Sequence, residues 1–289
     1  MAWFFFALLS AVSLATADAL TKRFFSDPSA YEMGLIRIGC AFPWYVLSLL
    51  VIPWAATDRT FWLCLAAGLP LEALAFYSYM KAIRSSPLSL TLPFLAFTPG
   101  FIIFTGWALL GEEITPGGFG GIILIIAGAY VLNLSKAPFG ILEPFRAIFR
   151  EPGSRLMLLV SFIYAFTSVI GKLAILHSNP YFFGSTYNIF LAFMLVALFP
   201  FARTATPAKS ILGRPGAAFA LGAMVSLSMF SHMLAISMVQ AAYMISIKRT
   251  SLLFGVLYGA WLFREEKITE RLTGAVIMLI GVFLISRYG

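Results

Sequence analysis

Ten stretches of this chain are each long and apolar enough to cross a bilayer: 2–21, 31–55, 60–83, 88–110, 116–135, 154–176, 181–202, 213–236, 241–263 and 269–287. A spanning helix needs about 20 predominantly apolar residues. Hydrocarbon offers no partner to a backbone N–H or C=O, so such a segment must satisfy its hydrogen bonds internally, as a helix. Composition points the same way: 61% of the 289 residues are hydrophobic and 11% are charged, against roughly 25% charged in a soluble domain. The mean hydropathy is +0.92. The expected class is therefore an all-α integral membrane protein. The first stretch contains Ala15-Thr16-Ala17, which looks like a signal-peptide cleavage site. No basic segment precedes it and it has a counterpart at 154–176, so it is read as a true span.

The chain divides into related halves. The one long linker, Lys136–Gly153, is basic and carries Pro138, Pro144 and Pro152. It separates a first five-span unit, 1–135, from a second, 154–289. Near the end of the fourth stretch stands Leu109-Leu110-Gly111-Glu112-Glu113, and near the end of the ninth Leu262-Phe263-Arg264-Glu265-Glu266. Gly121 and Gly128 follow the first pair at the same spacing as Gly274 and Gly281 follow the second. Lys22 and Lys172 also occupy equivalent places, each followed by a proline, Pro28 and Pro180. An odd number of spans per unit forces the second copy to enter the membrane from the opposite side. The expected fold is thus ten transmembrane helices in two inverted five-helix repeats, an arrangement characteristic of secondary transporters.

The Glu-Glu pair closing the fourth span of each half, followed by a glycine-bearing fifth span, resembles the EamA module of the drug/metabolite transporter superfamily, over nearly the whole chain. The resemblance implies a ten-helix bundle with the first, third and fourth helices of each repeat around a central cavity. It also implies alternating access without ATP, and amino acids or related metabolites as the leading substrate class. Small multidrug members of the superfamily carry a membrane glutamate eight residues before the corresponding lysine. Here Leu14 and Tyr164 hold those places, which argues against an exporter of lipophilic cations.

Charges inside the spans are the candidates for chemistry. A charge near the bilayer centre costs on the order of 2.5–3.5 kcal/mol on insertion scales, so each needs a reason. Lys248 and Arg249 are adjacent within the run 241–263. Either they contact an anionic group of the substrate or they form internal ion pairs. Glu72, mid-span in the third stretch, is the best partner, as a static ion pair or a coupling carboxylate. Tyr79 and His232 are repeat counterparts and could gate or recognise substrate, or be structural. Tyr243 and Ser246 share the ninth stretch with the cation pair and complete the expected substrate-binding set. Tyr77, Tyr164 and Tyr187 are further cavity-lining candidates. Arg37 is expected to snorkel past Glu32, Lys172 to snorkel to the interface, and Asp18 to pair with Lys22 at i,i+4. Arg37, Lys172, Lys248 and Arg249 against Asp18 and Glu72 leave a formal +2 among the mid-span charges, which favours an acidic substrate. Gly255 and Gly259 read as a close helix-contact motif. Pro93 and Pro99 mark hinges in the fourth span that the ninth lacks, so the two repeats are expected to flex differently.

Cys40 and Cys64 read as small buried residues, and no catalytic, metal or nucleotide motif is visible. No enzyme activity, cofactor, metal or nucleic-acid partner is expected. The expected function is a secondary transporter of a small organic metabolite with an acidic group. The alternatives are a flippase for a phosphate-bearing lipid or lipid-linked head group, and a non-transporting membrane assembly subunit. Membrane lipid surrounds the chain, which is expected to act as a monomer in a cytoplasmic-type (inner) membrane. Of the 20 Lys and Arg, four are mid-span; 14 of the other 16 fall at the odd-numbered linkers. The positive-inside rule then places both termini outside the cytoplasm.

Overall fold

The computed structural model of the protein describes residues 2–25, 29–85, 92–134, 152–197, 207–263 and 268–289. The first half comprises α1 (Ala2–Phe24), α2 (Ala30–Val51), α3 (Arg59–Ser85), a 3₁₀ segment (Leu92–Phe97), α4 (Thr98–Leu110) and α5 (Pro116–Leu134). The second comprises α6 (Pro152–Leu176), α7 (Pro180–Ala197), the short α8 (Pro207–Gly213), α9 (Pro215–Met238), α10 (Ala241–Lys248), α11 (Ser251–Phe263) and α12 (Ile268–Tyr288). Five of these helices begin on proline, whose missing N–H costs nothing in a first turn where that donor has no intrahelical partner. Among the described residues, six helices are long and apolar enough to cross a membrane. Most of the basic linker (136–151) and the second Glu pair, Glu265–Glu266, lie outside the described residues.

The packing is two-fold related. α1 packs on α9 and α6 on α3; α4 packs on α6 and α11 on α1; α2 meets α7 and α5 meets α12. Each pair either has its repeat equivalent or is its own equivalent. The glycine spacing common to the two halves acts at the α5–α12 crossing. A Cβ at Gly121 would lie 2.8 Å from Gly281 O, and one at Gly128 would lie 2.7 Å from Gly274 O. Small residues let the two backbones touch, which is how helices associate where lipid removes the hydrophobic drive. Gly255 plays no such part: a Cβ there would meet nothing within 4 Å.

The two stretches expected to be continuous helices, 88–110 and 241–263, are both interrupted, and at equivalent places. The first changes from 3₁₀ to α between Phe97 and Thr98; the second breaks at Arg249–Thr250, between α10 and α11. Pro93 and Pro99 account for the first, since neither can donate to a preceding carbonyl. The second has no proline. There the Thr250 hydroxyl takes the Ile247 carbonyl at 2.7 Å, competing with the helix for that acceptor. The backbone continues through 3₁₀-type bonds, Thr250 N to Ile247 O (3.0 Å) and Leu252 N to Arg249 O (3.0 Å). Thr98 bonds Leu95 O in the same i−3 manner at 2.7 Å. Both repeats are thus interrupted near the same place, although only one has prolines there: different residues produce the two breaks.

Candidate functional site

The break in the second repeat sets the site. α10 ends on Lys248, and Arg249 is its C-cap, with backbone still in the right-handed helical region (φ −66°, ψ −14°). Both side chains leave the helix where its regular hydrogen bonding stops. Arg249 reaches across to the break in the first repeat, where its Nη2 donates to Thr98 Oγ1 at 2.7 Å. Thr98 Oγ1 also lies 3.2 Å from Ser161 Oγ on α6. The guanidinium thus ties together the two interrupted helices. Its Nε is buried with no hydrogen-bond partner among the described residues, an unmet donor of a kind rare in folded proteins. Lys248 Nζ lies 3.1 Å from His232 Nδ1 on α9; an ammonium can only donate, so the ring nitrogen accepts.

Further groups converge on this pair from the surrounding helices. Glu72 on α3 stands beside Thr167 of α6 and in the field of Lys248. Tyr79 on α3 interacts electrostatically with Asp18, Arg37 and Arg249. Tyr164 on α6 does so with Glu72, Tyr79, Arg249 and Arg37. Tyr187 on α7 lies near Glu72 and Tyr164 and is fixed by donating to Gly68 O at 3.1 Å. Glu72, Tyr79, Tyr164, Thr167, Tyr187, His232, Lys248 and Arg249 all keep some accessible surface although they face one another inside the bundle. Together they form a partly accessible polar cluster inside the bundle, the chamber. Arg37 and Asp18 form an ion pair on one side of it, the Asp18 side chain 57% exposed.

Of the substrate-binding residues expected from the sequence, the structure brings Lys248, Arg249, Glu72, Tyr79 and His232 together and leaves Tyr243 and Ser246 out. Tyr243 is fully buried; its hydroxyl accepts from Thr115 N at 2.9 Å and its ring closes over Gly118. Ser246, also fully buried, bonds back to Ala242 O at 2.7 Å. Every residue from Ala241 to Ile247 is buried, so sharing a helix with the cations does not mean sharing their face. Tyr77 points outward, 59% exposed. Asp18 pairs with Arg37, correcting the snorkelling of Arg37; Glu32 forms a capping box with Ser29 at the start of α2. Thr98 and Thr167 escape a search for charges, since a threonine in an apolar helix carries no signal of its own.

Lys172 does not snorkel. It is buried and forms an ion pair with Glu112, and its Nζ donates to Val239 O at 2.5 Å. The other carboxylate oxygen of Glu112 accepts from Ala241 N at 2.9 Å. Gly111 makes this geometry accessible: with φ +64° it ends α4 in the left-handed region, where glycine pays no Cβ penalty, and turns Glu112 back toward the bundle. Lys172 thus belongs to a separate cluster. Three chamber cations (Arg37, Lys248, Arg249) against two carboxylates (Asp18, Glu72) leave +1, not +2.

The comparisons with known proteins agree with this architecture. No curated protein matches the chain. A solved structure titled "Crystal structure of protein" matches with a TM-score of 0.77 at 14% identity, covering 99% of this chain and 95% of that one. At that identity the likeness shows the fold alone. The model of the EamA-like transporter family matches twice, over residues 1–134 and 152–287. With helices of membrane-crossing length and two matched repeats spanning nearly all of its sequence, this integral membrane protein belongs to the EamA-like transporter family.

Proposed function

We propose that the protein is a ten-span secondary transporter that moves a small organic metabolite carrying a carboxylate, an amino acid or a related compound, by alternating access between its two halves. The observation that carries this reading is Arg249: a guanidinium at a helix break, inside the bundle, with a buried Nε that no group among the described residues satisfies. Discontinuous helices commonly form the ion and substrate sites of secondary transporters. Lys248 supplies a second positive charge beside it. Glu72, across the chamber, provides an acceptor for an ammonium group, so a zwitterion would find both of its charges answered. A net charge of +1 suits one carboxylate better than a doubly charged phosphate. Orientation with both termini outside the cytoplasm, in a cytoplasmic-type membrane, belongs to the same proposal and rests on the Lys/Arg distribution.

The test is a thermal-shift screen of purified protein against amino acids, other organic anions, inorganic phosphate and short-chain phospholipids. Stabilisation by a carboxylate compound that disappears in Lys248→Ala and Arg249→Ala is the expected result. Stabilisation by the phospholipids alone would replace this reading with a lipid flippase. No stabilisation by any of them, together with a tightly packed chamber, would favour an assembly subunit.

A further inference from the structure

The Glu112–Lys172 cluster lies apart from the polar chamber, at the other end of α10. That helix has eight residues, so it spans about 12 Å at 1.5 Å per residue. Its last residue and its C-cap are the chamber cations. Its first residue, Ala241, is held by Glu112 through a backbone N–H, and Lys172 holds both Glu112 and the carbonyl of Val239 just before it. Three segments meet at this point: the loop after α4, from the first half; the end of α6; and the turn between α9 and α10. The carboxylate also meets the N-terminus of α10, where the helix dipole favours a negative charge.

At this end α10 is enclosed by its neighbours. α10 is buried along Ala241–Ile247 and packs in the largest apolar cluster with Ala7, Phe61, Ala174 and Ile175. At the other end of the chamber Asp18 remains open to its surroundings. A buried ion pair is a poor stabiliser compared with apolar side chains of similar volume, so its presence calls for a role beyond holding the fold. Glu112 ties the first residue of α10 to the first half, next to the Thr115–Tyr243 hydrogen bond, and Lys172 holds Glu112 in place from α6.

We propose that Glu112 and Lys172 are positioning residues of the transport cycle. Their clamp on the N-terminus of α10 sets the place of Lys248 and Arg249 and keeps this end of the path shut, and breaking it frees α10 to move. The proposal rests on the transporter reading above, but its test needs no substrate. Cys64 is replaced by serine and Met244, fully buried on α10, by cysteine. Labelling by a water-soluble maleimide is then followed by mass spectrometry. Cys40, buried in the separate α2–α9 cluster, is the internal reference.

The double variant Glu112→Gln/Lys172→Met removes both charges and so leaves none buried alone. It is expected to raise the labelling rate at position 244 at least tenfold, with Cys40 unchanged. Glu112→Asp with Lys172→Arg, which keeps the ion pair, should label near the parent rate. Should the double variant not be recovered folded, Glu112→Gln alone carries the same expectation. Parent-rate labelling at 244 in a folded variant, or equal rises at 244 and Cys40, would overturn the proposal. A selective rise at 244 in a protein that binds no tested metabolite would keep the gate and remove the substrate reading.

Discussion

Arg249 is expected to dominate ligand affinity because its unmet Nε can pair with a carboxylate without first losing a protein partner. Hydrogen bonds to charged groups contribute about 1.5–3 kcal/mol, which converts to roughly 10- to 100-fold in affinity. Arg249→Ala should weaken binding of the best ligand by that factor in calorimetric titration, and Arg249→Lys should recover only part of it, since an ammonium lacks the planar fork. Thr98→Val has the opposite sign. It deletes the hydroxyl that occupies Nη2 in the unliganded protein, and one such bond, about 1 kcal/mol net, predicts a rise in affinity of up to about fivefold; Thr98→Ser should behave as the parent. Tyr243→Phe separates the chamber from its surroundings. It should leave ligand affinity within about twofold but lower stability by about 0.5–1.5 kcal/mol, the net worth of the hydrogen bond that Thr115 N–H donates to the hydroxyl. The charges of this site were legible in the sequence because each is costly in hydrocarbon. The exclusion of Tyr243 and Ser246 was not, because nothing in the spacing says which face of α10 meets the chamber once the helix stops at Lys248.

At the scale of elements, the repeated glycines and the repeated breaks differ in how the chain encodes them. The glycines are encoded directly: a methyl at Gly128 would sit 2.7 Å from Gly274 O, a backbone atom that cannot rotate away. Gly128→Ala should therefore destabilise the protein by about 1–3 kcal/mol, the usual cost of overpacking, read as a lower unfolding temperature, whereas Ala at Gly255, which faces open space, should be near neutral. The breaks are encoded by different chemistry in each half, two prolines in one and a threonine beside two cations in the other, so sequence comparison of the halves did not reveal them. Outside the membrane spans, Asp58 links the loop before α3 to His177 after α6 at 2.7 Å. The Phe61 backbone N–H, and secondarily the His177 side chain, hold its carboxyl below the usual value of 3.8. A depressed carboxylate contributes stability above its unfolded value that is lost as pH falls through its folded value. The difference in unfolding temperature between the parent and Asp58→Asn should therefore be constant above about pH 5 and close as pH falls below 3.8.

For the molecule as a whole, the two halves form one bundle in which α1–α9 and α3–α6 repeat the same contact, and the chamber lies where the two broken helices approach. The Lys/Arg distribution predicts that a small epitope tag at either terminus is accessible from outside intact cells or spheroplasts. Accessibility only after permeabilisation would reverse the orientation. In either case both tags should report the same side, because the expected number of spans is even.

Membrane insertion, helical class, duplication and the inventory of costly charges were determined by the sequence alone. Each follows from a local rule: hydrocarbon leaves a backbone no alternative to internal hydrogen bonding, and a buried charge has to be justified wherever it stands. The tertiary structure decided the partners. It turned Arg37 to Asp18 and Lys172 to Glu112, placed Thr98 under Arg249, and stopped the ninth stretch where a continuous helix was expected. Pairing across 60 or more residues of chain, as between Glu112 and Lys172, depends on how helices from the two halves come together, and no local pattern of residue types carries that information.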